Sequence, residues 1–165
     1  AAQNDTDYWA FCAIAEDPQT GLSYLTRLRR TRGMTQTEGL NWISKQLSKV
    51  KQRHQREVNT VLVESNQAQR WLVQSARDQG FQFEETSSSG DKEQRIIDMS
   101  SSFEQGKVLA WEGAMSNWSR FISEEWCGFP TADHDDRLDA IEIALRNLNR
   151  GGGFTTSDHS LGDLV

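Results

Sequence analysis

The sequence predicts an α/β fold in which a mixed sheet is flanked by helices. Tyr8–Ala15 and Leu22–Arg30 have the aromatic, Leu and Thr content of strands, and the turn signal Asp17–Gly21 between them indicates an antiparallel hairpin. Short apolar runs then alternate with amphipathic helical segments, an order that is typical of parallel strands. We therefore expect a sheet that is antiparallel at its beginning and parallel in its later part.

The remaining elements follow from apolar spacing and from cap residues. Apolar residues at helical spacing predict helices at Thr35–Arg53, Asn66–Gln79, Asp91–Gln105, Met115–Trp126 and Asp135–Leu148. Short apolar runs predict strands at Val58–Glu64, Phe81–Glu84 and Lys107–Trp111. Thr35 is expected to cap the first helix, and Gly80 and Gly106 to follow the ends of the next two. Residues 1–150 are predicted to form one domain, and the polar residues 151–165 a flexible tail.

Charge is distributed unevenly along the chain. The net charge of −6 argues against a simple polyanion binder. Residues 27–56, however, contain nine Lys or Arg and one acid, a local balance of +8, so the remainder carries −14. A basic segment beside an acidic remainder suits a protein that holds phosphates and metal ions in different places, although a solvated basic helix face is an equal reading. If phosphates bind there, Arg29, Arg30, Lys49 and Lys51 are expected to hold them.

Several classes of protein are disfavoured by the motifs that the sequence lacks. Its longest apolar run, Trp9–Ala15, is too short to span a membrane. Cys12 and Cys127 are too few for a disulfide framework and lack the spacing of a metal site, so we expect reduced thiols. Neither G-x-x-x-x-G-K-[ST] nor G-x-S-x-G occurs, which argues against an ATPase site or a nucleophilic serine.

Two groups of carboxylates are candidates for a metal site. Glu64 ends the apolar run Val61–Val63, where a buried carboxylate is costly unless a cation or hydrogen-bond donors satisfy it. Asp135, Asp136 and Asp139 open the last predicted helix, three or four positions apart, so that pairs of them share a face. Helix capping accounts for one or two of these acids but not for Asp139, which lies beside the apolar stripe.

Together these acids are hard oxygen ligands suited to Mg²⁺ or Mn²⁺. Two such ions about 4 Å apart can support the hydrolysis of a phosphodiester. His134, next to the acidic group, could ligate a metal or shuttle a proton, and a capping or solvent-facing His is an equal reading. The tryptophans are expected to be core or groove residues rather than stacking platforms for DNA.

The order of the motifs resembles a known family. The motifs are Asp7–Ala10, Tyr24-Leu25 with the arginine run Arg27–Arg32, Val61–Asn66, Asp91-Lys92 with Arg95, Glu104–Val108, Phe129-Pro130 and His134–Ala140. In this order the chain, from Ala1 to about Leu148, resembles the C-terminal nuclease domain of the large terminase subunits of tailed double-stranded DNA phages. Each motif alone is weak, whereas their order and the final acidic motif are specific.

The resemblance implies a ribonuclease H-like fold, which Holliday-junction resolvases and retroviral-type integrases share. It also implies a metal-dependent endonuclease that cuts concatemeric viral DNA during genome packaging, with carboxylate-bound divalent ions. The expected partners are double-stranded DNA, an upstream ATPase domain, the portal and the small terminase subunit. The expected location is the cytoplasm of the infected bacterial host.

The resemblance also assigns roles to residues. Glu64 matches the acid of the family's central strand, and Asp136 and Asp139 match the acids that open its last helix, with Asp135 a weaker match. Lys92 and Arg95 match a basic loop that would touch DNA phosphates. The family's first strand carries a further Asp, which we expect upstream of Ala1, and Asp7 is the nearest substitute for it as a metal ligand.

Two other readings keep the same fold. A structure-specific nuclease of the resolvase type would prefer a four-way junction to a linear duplex. A catalytically degenerate module would only bind DNA or dock within the packaging motor. The presence of acids at Glu64, Asp136 and Asp139 counts against the degenerate module.

Overall fold

The computed structural model describes residues 8–55, 58, 60–64, 73–74, 77–78 and 83–150. Its strands are β1 (Tyr8–Glu16), β2 (Ser23–Arg32), β3 (Val61–Glu64), β4 (Phe83–Thr86) and β5 (Val108–Ala110). Its helices are α1 (Gln36–His54), α2 (Lys92–Glu104), the short α3 (Trp118–Phe121) and α4 (Asp136–Arg150). The predicted tail and most of the predicted helix Asn66–Gln79 lie outside the described residues, although residues 73–74 and 77–78 are helical.

The strand pairing confirms the expected order of antiparallel and parallel neighbours. β1 and β2 form the predicted hairpin, with a bulge between Ala13 and Ile14. β5 pairs in parallel with β2, and β3 pairs in parallel with β4. Within the described residues the strands form a three-stranded ladder, β1-β2-β5, and a two-stranded ladder, β3-β4. The structure is therefore a mixed α/β fold with helices packed against its strands.

Local capping interactions explain why the ends of α1 and α2 could be predicted from the sequence. Thr35 and Glu38 form a capping box at the start of α1, in which each side chain accepts a hydrogen bond from the other residue's backbone. The Asp91 carboxylate accepts from the backbone N–H of Glu93 at the start of α2. Gly106 has a φ of 69°, the left-handed conformation that favours glycine after a helix.

The predicted helix Met115–Trp126 is confirmed only from Trp118 onward, and it is not α-helical throughout. A 3₁₀ turn at Glu112–Ala114 precedes this stretch, α3 begins only at Trp118, and a π-helical turn at Ile122–Trp126 follows α3. Asn117 accepts a hydrogen bond from the backbone N–H of Arg120, so α3 starts only at Trp118. The backbone N–H of Cys127 donates to the carbonyl of Ile122, which widens the last turn. Apolar spacing alone does not encode these local hydrogen bonds.

α1 and α4 cover opposite faces of the hairpin. On one face, Trp9 of β1 packs with Leu40 of α1, and the same cluster contains Val61 and Val63 of β3. On the other face, Cys12 and Ile14 of β1 pack against the main core, which contains these buried side chains: Leu25, Leu28, Ile96, Met99, Val108, Ala114, Met115, Phe121, Leu138, Ile141 and Leu145. The apolar stripe of α4 is thus buried where it was predicted.

No helix in the described part of the chain combines the length and the apolar character that a membrane crossing needs. Cys12 and Cys127 are free thiols.

Gly39 gives a test of the packing between α1 and β1. A Cβ at this position would lie 2.5 Å from two ring atoms of Trp9. In an exposed helix, Gly→Ala stabilises by up to about 1 kcal/mol. Here we expect Gly39→Ala to destabilise the protein by about 1–3 kcal/mol, because the indole ring is held in a cluster with little room to move. Urea unfolding measures this, and Asn41→Ala, an exposed change on the same helix, should alter stability by less than about 0.5 kcal/mol.

Candidate active site

The acids predicted on β3 and α4 come together at the end of β3. Glu64 is the last residue of β3, and α4 packs against this strand. Burial raises the pKa of Asp139 above its usual value, and the negative charges of Asp135 and Glu64 raise this pKa further. Because charges must be close to perturb one another in this way, these three carboxylates share one region.

Lys92, at the start of α2, lies between two of these carboxylates. Its Nζ is 2.8 Å from Oδ2 of Asp135 and 2.8 Å from Oδ2 of Asp139. Burial alone would lower the pKa of Lys92, but the hydrogen bonds and charges of both aspartates outweigh it and raise this pKa. The pKa of Asp139 is also raised, because the lowering effect of the Lys92 ammonium is smaller than the raising effects of burial and of the neighbouring carboxylates. The cluster is thus rich in negative charge even with Lys92 in place.

The loop of residues 87–90 positions Glu64. The Ser88 hydroxyl donates a hydrogen bond to Oε1 of Glu64. Arg146 of α4 holds the same loop, because its Nη1 donates to the carbonyl of Ser87 at 3.3 Å and its Nη2 to the Ser88 hydroxyl at 3.2 Å. The strand acid and the helix acids are therefore linked through one loop.

Asp136 lies at the first position of α4 and faces Arg30 of β2. Its Oδ2 is 3.9 Å from Nη1 of Arg30, too far for a hydrogen bond. This oxygen is buried and has no hydrogen-bond partner among the described residues. A buried carboxylate oxygen without a donor is energetically costly, so Asp136 retains a free acceptor at the edge of the cluster.

Glu125 is a functional candidate that the sequence analysis missed. Its side chain is 1% exposed and accepts from Arg30 Nη1 at 2.8 Å and from Arg137 Nε at 2.6 Å. Its second oxygen accepts from the backbone N–H of Arg137 at 3.2 Å, so a residue of the π-helical turn caps α4 and fixes its first turn. The partners lie 12 and 95 positions away in sequence, and no local spacing signals such a contact.

His134 and Asp7 complete the set of residues predicted for the metal site. The His134 ring lies 4.6 Å from the Tyr8 ring in an edge-on contact, and Arg30 covers the same tyrosine at 4.3 Å. His134 is exposed and makes no hydrogen bond to a carboxylate in the described part of the chain. Asp7 lies outside the described residues.

The predicted DNA-binding residues fall into two sets. Lys92 is held by Asp135 and Asp139, and Arg30 by Glu125, as described above. Nε of Arg95 is 3.5 Å from Oε2 of Glu142, and Nη1 of Arg95 also donates to the carbonyls of Ser89 and Gly90. The other set, Arg29 and Lys49, lines a pocket on the α1 side of β2, and Lys51 is exposed on α1. Contact of either set with DNA stays a prediction.

The residues present fit a divalent cation in donor type and charge. Glu64, Asp135, Asp136 and Asp139 supply oxygen donors, and Oδ2 of Asp136 is a buried acceptor without a partner. Among the residues that the structure describes, no three His, Cys, Asp or Glu side chains already form a ligand cage. Instead, the ammonium of Lys92 lies between Asp135 and Asp139. A bound ion would have to share these two carboxylates with Lys92 or displace its ammonium.

Comparisons with known proteins show the family to which the chain belongs. No curated protein matches the chain. A family model described as the terminase RNaseH-like domain matches residues 1–148, which include every described element except the last two residues of α4. The chain therefore belongs to the terminase RNaseH-like domain family.

Proposed function

We propose that this protein is a divalent-metal-dependent endonuclease that cuts concatemeric viral DNA during genome packaging. Family membership supports a nuclease-type role in a terminase. The observation that carries the proposal is the crowding of Glu64, Asp135 and Asp139, of which Asp135 and Asp139 share the ammonium of Lys92. Crowded carboxylates of this kind suit cations that bind the phosphate of a scissile bond.

The proposed ligands are Glu64, Asp136 and Asp139, with Asp135 as a further donor. Asp7 remains a proposed ligand outside the described residues. The cofactor is Mg²⁺ or Mn²⁺, as two ions. When bound, the ions would activate a water and stabilise the oxygen that leaves the phosphorus.

The remaining roles belong to the chain's own side chains. Ser88 orients the Glu64 carboxylate, and Glu125 holds the first turn of α4, which carries Asp136 and Asp139. His134, exposed at the entrance to α4, is proposed to carry a proton to or from solvent. Lys92 and Arg95, at the start of α2, are proposed to meet DNA phosphates when ions hold the aspartates.

The proposed partners follow from the family. They are double-stranded DNA, the terminase ATPase domain, the portal and the small terminase subunit, in the cytoplasm of the infected bacterial host. Arg29, Arg30, Lys49 and Lys51 are the further residues proposed to contact DNA. For Arg30, the ion pair with the buried Glu125 makes a positioning role the stronger one.

A plasmid-cutting assay tests the proposal. We expect supercoiled plasmid to be nicked and linearised with Mn²⁺ or Mg²⁺ and to stay intact in EDTA, because the carboxylate cluster needs cations to bind the reacting phosphate. A four-way junction and a linear duplex of equal length, cut side by side, separate a packaging nuclease from a resolvase-type enzyme. Cutting that survives EDTA undiminished in a highly purified sample would overturn metal dependence. Binding of DNA without any cutting would point to a docking module.

A further inference from the structure

A basic pocket lies on the α1 side of β2. It has a volume of about 440 Å³ and is lined by Arg27 and Arg29 of β2 and by Lys49, Gln52 and Arg53 of α1. Four of these five side chains are cations, and none is an acid. We call this cavity the arginine pocket. It lies across the hairpin from α4, since Phe11, the cross-strand partner of Arg29, packs edge-on against Trp42 of α1.

The lack of acids distinguishes the arginine pocket from the opposite face of the sheet. On that face the cations are neutralised by carboxylates: Arg30 and Arg137 by Glu125, and Arg95 and Arg146 by Glu142. In the described part of the chain, no salt bridge to a carboxylate involves Arg27, Arg29, Lys49 or Arg53. A concentration of unpaired positive charge at a cavity is the electrostatic arrangement that attracts an anion.

Arg27 is the deepest cation of the arginine pocket. It is 8% exposed, and its Nε donates to Oε1 of the buried Gln46 at 2.8 Å. Its two terminal nitrogens make no hydrogen bond to a described residue. Burial lowers the pKa of this guanidinium, and the charges of Arg29 and Arg53 lower it further. Like charges gathered without a counter-ion destabilise the folded state, and an anion would relieve this cost.

Backbone carbonyls and an aromatic ring hold two of the arginines in place around the cavity. Nη1 of Arg29 donates to the carbonyls of Leu28 and Ala114. The guanidinium of Arg53 lies 4.3 Å from the centre of the Trp111 ring. A guanidinium oriented in advance loses less conformational entropy when it binds a phosphate.

The C-terminal end of α1 accounts for only part of the positive charge of the arginine pocket. Cations in the last turn of α1 interact favourably with the helix dipole, and this explains Arg53. It does not explain Arg27 and Arg29, which lie on a strand and approach the same cavity from the other side.

We propose that the arginine pocket is a phosphate-binding site that holds the backbone of duplex DNA away from the carboxylate cluster. The choice of DNA as the source of the phosphate rests on the proposed function. Because the pocket and the carboxylates lie on opposite faces of the hairpin, the phosphates held there are not those that are cut. The site therefore retains DNA rather than positioning the scissile bond.

The test compares two variants that lose the same charge. Lys49→Gln/Arg53→Gln removes two exposed cations of the pocket, and Lys45→Gln/Lys107→Gln removes two exposed cations outside it. Binding of a fluorescent duplex is measured by anisotropy over a series of KCl concentrations. EDTA is present, and every protein carries Asp139→Asn so that nothing is cut.

We expect the pocket variant to bind at least about tenfold more weakly at low salt, because charge-assisted contacts are lost. Its plot of log affinity against log salt should be shallower by about 0.9 for each phosphate contact removed. The control variant should keep the slope of the parent. Equal slopes and affinities in the two variants would overturn the DNA site.

A second measurement identifies the source of the phosphate. Inorganic pyrophosphate, added at constant ionic strength, should raise the melting temperature of the parent but not of the pocket variant. If pyrophosphate does so while the two variants bind DNA equally, the pocket takes a small polyphosphate, and DNA as its ligand is overturned. If pyrophosphate fails to stabilise the parent and DNA binding is also equal, the phosphate site itself is overturned. Failure of the plasmid assay alone bears only on cutting, because neither measurement here involves cleavage.

Discussion

Replacing Asp139 with Asn is expected to reduce metal-dependent DNA cutting by at least about a hundredfold without harming the fold. Removing one proposed ligand costs several kcal/mol of transition-state stabilisation, which corresponds to this loss of rate. The amide keeps the shape of the side chain, and Lys92 keeps Asp135 as a partner at 2.8 Å. The rate of plasmid nicking at saturating Mn²⁺ measures the effect.

The same substitution should also change how stability depends on pH. Burial first, and the charges of Asp135 and Glu64 in addition, raise the pKa of Asp139 in the folded protein. The ionisation of Asp139 therefore opposes folding. The resulting loss of unfolding free energy is absent below the ordinary pKa of an aspartate and is complete above the raised pKa. Asp139→Asn removes this cost, so in the absence of metal its melting temperature near neutral pH should equal or exceed that of the parent.

The control for Asp139→Asn is the same change at Asp133, an exposed residue just before α4. Asp133→Asn should leave both cutting and pH dependence close to those of the parent. Cutting that survives in Asp139→Asn, or an equal loss in both variants, would contradict the assignment of Asp139 as a metal ligand.

Replacing Glu125 with Gln is expected to cost about 3–5 kcal/mol of unfolding free energy. This carboxylate is 1% exposed and neutralises both Arg30 and Arg137. Removing the charge from one member of a buried ionic group leaves the remaining charges uncompensated, which is the most costly way to change such a group. A domain of this size has a total stability of about 5–15 kcal/mol, so the loss is a large share of it. Urea unfolding followed by circular dichroism measures the change.

Glu124→Gln is a closely matched control, because it makes the same change one residue earlier. Glu124 is exposed and pairs with Arg120 at 2.8 Å on the helix surface, where an ion pair is worth less than about 1 kcal/mol. If Glu124→Gln and Glu125→Gln had similar effects, Glu125 would not be the buried anchor of α4. Because Glu125 also caps α4, its loss should reduce cutting even at temperatures where the variant stays folded.

Local patterns in the sequence determined most of the secondary structure. The hairpin, the capping box of α1, the cap of α2 and the apolar stripe of α4 all depend on residues within a few positions of one another. The same holds for the acids: Glu64 at a strand end and Asp135, Asp136 and Asp139 in one helical turn were visible as candidates from their spacing alone.

The tertiary structure decided which charges meet. Lys92 was predicted to touch DNA, whereas the fold places it between Asp135 and Asp139, 43 and 47 positions away along the chain. Arg29 and Arg30 are neighbours in sequence, yet alternation along β2 sends one toward the arginine pocket and the other toward Glu125. The periods of helices and strands follow from backbone geometry, so they can be recognised in a short stretch of sequence. The pairing of buried charges depends on distances between segments that only packing brings together.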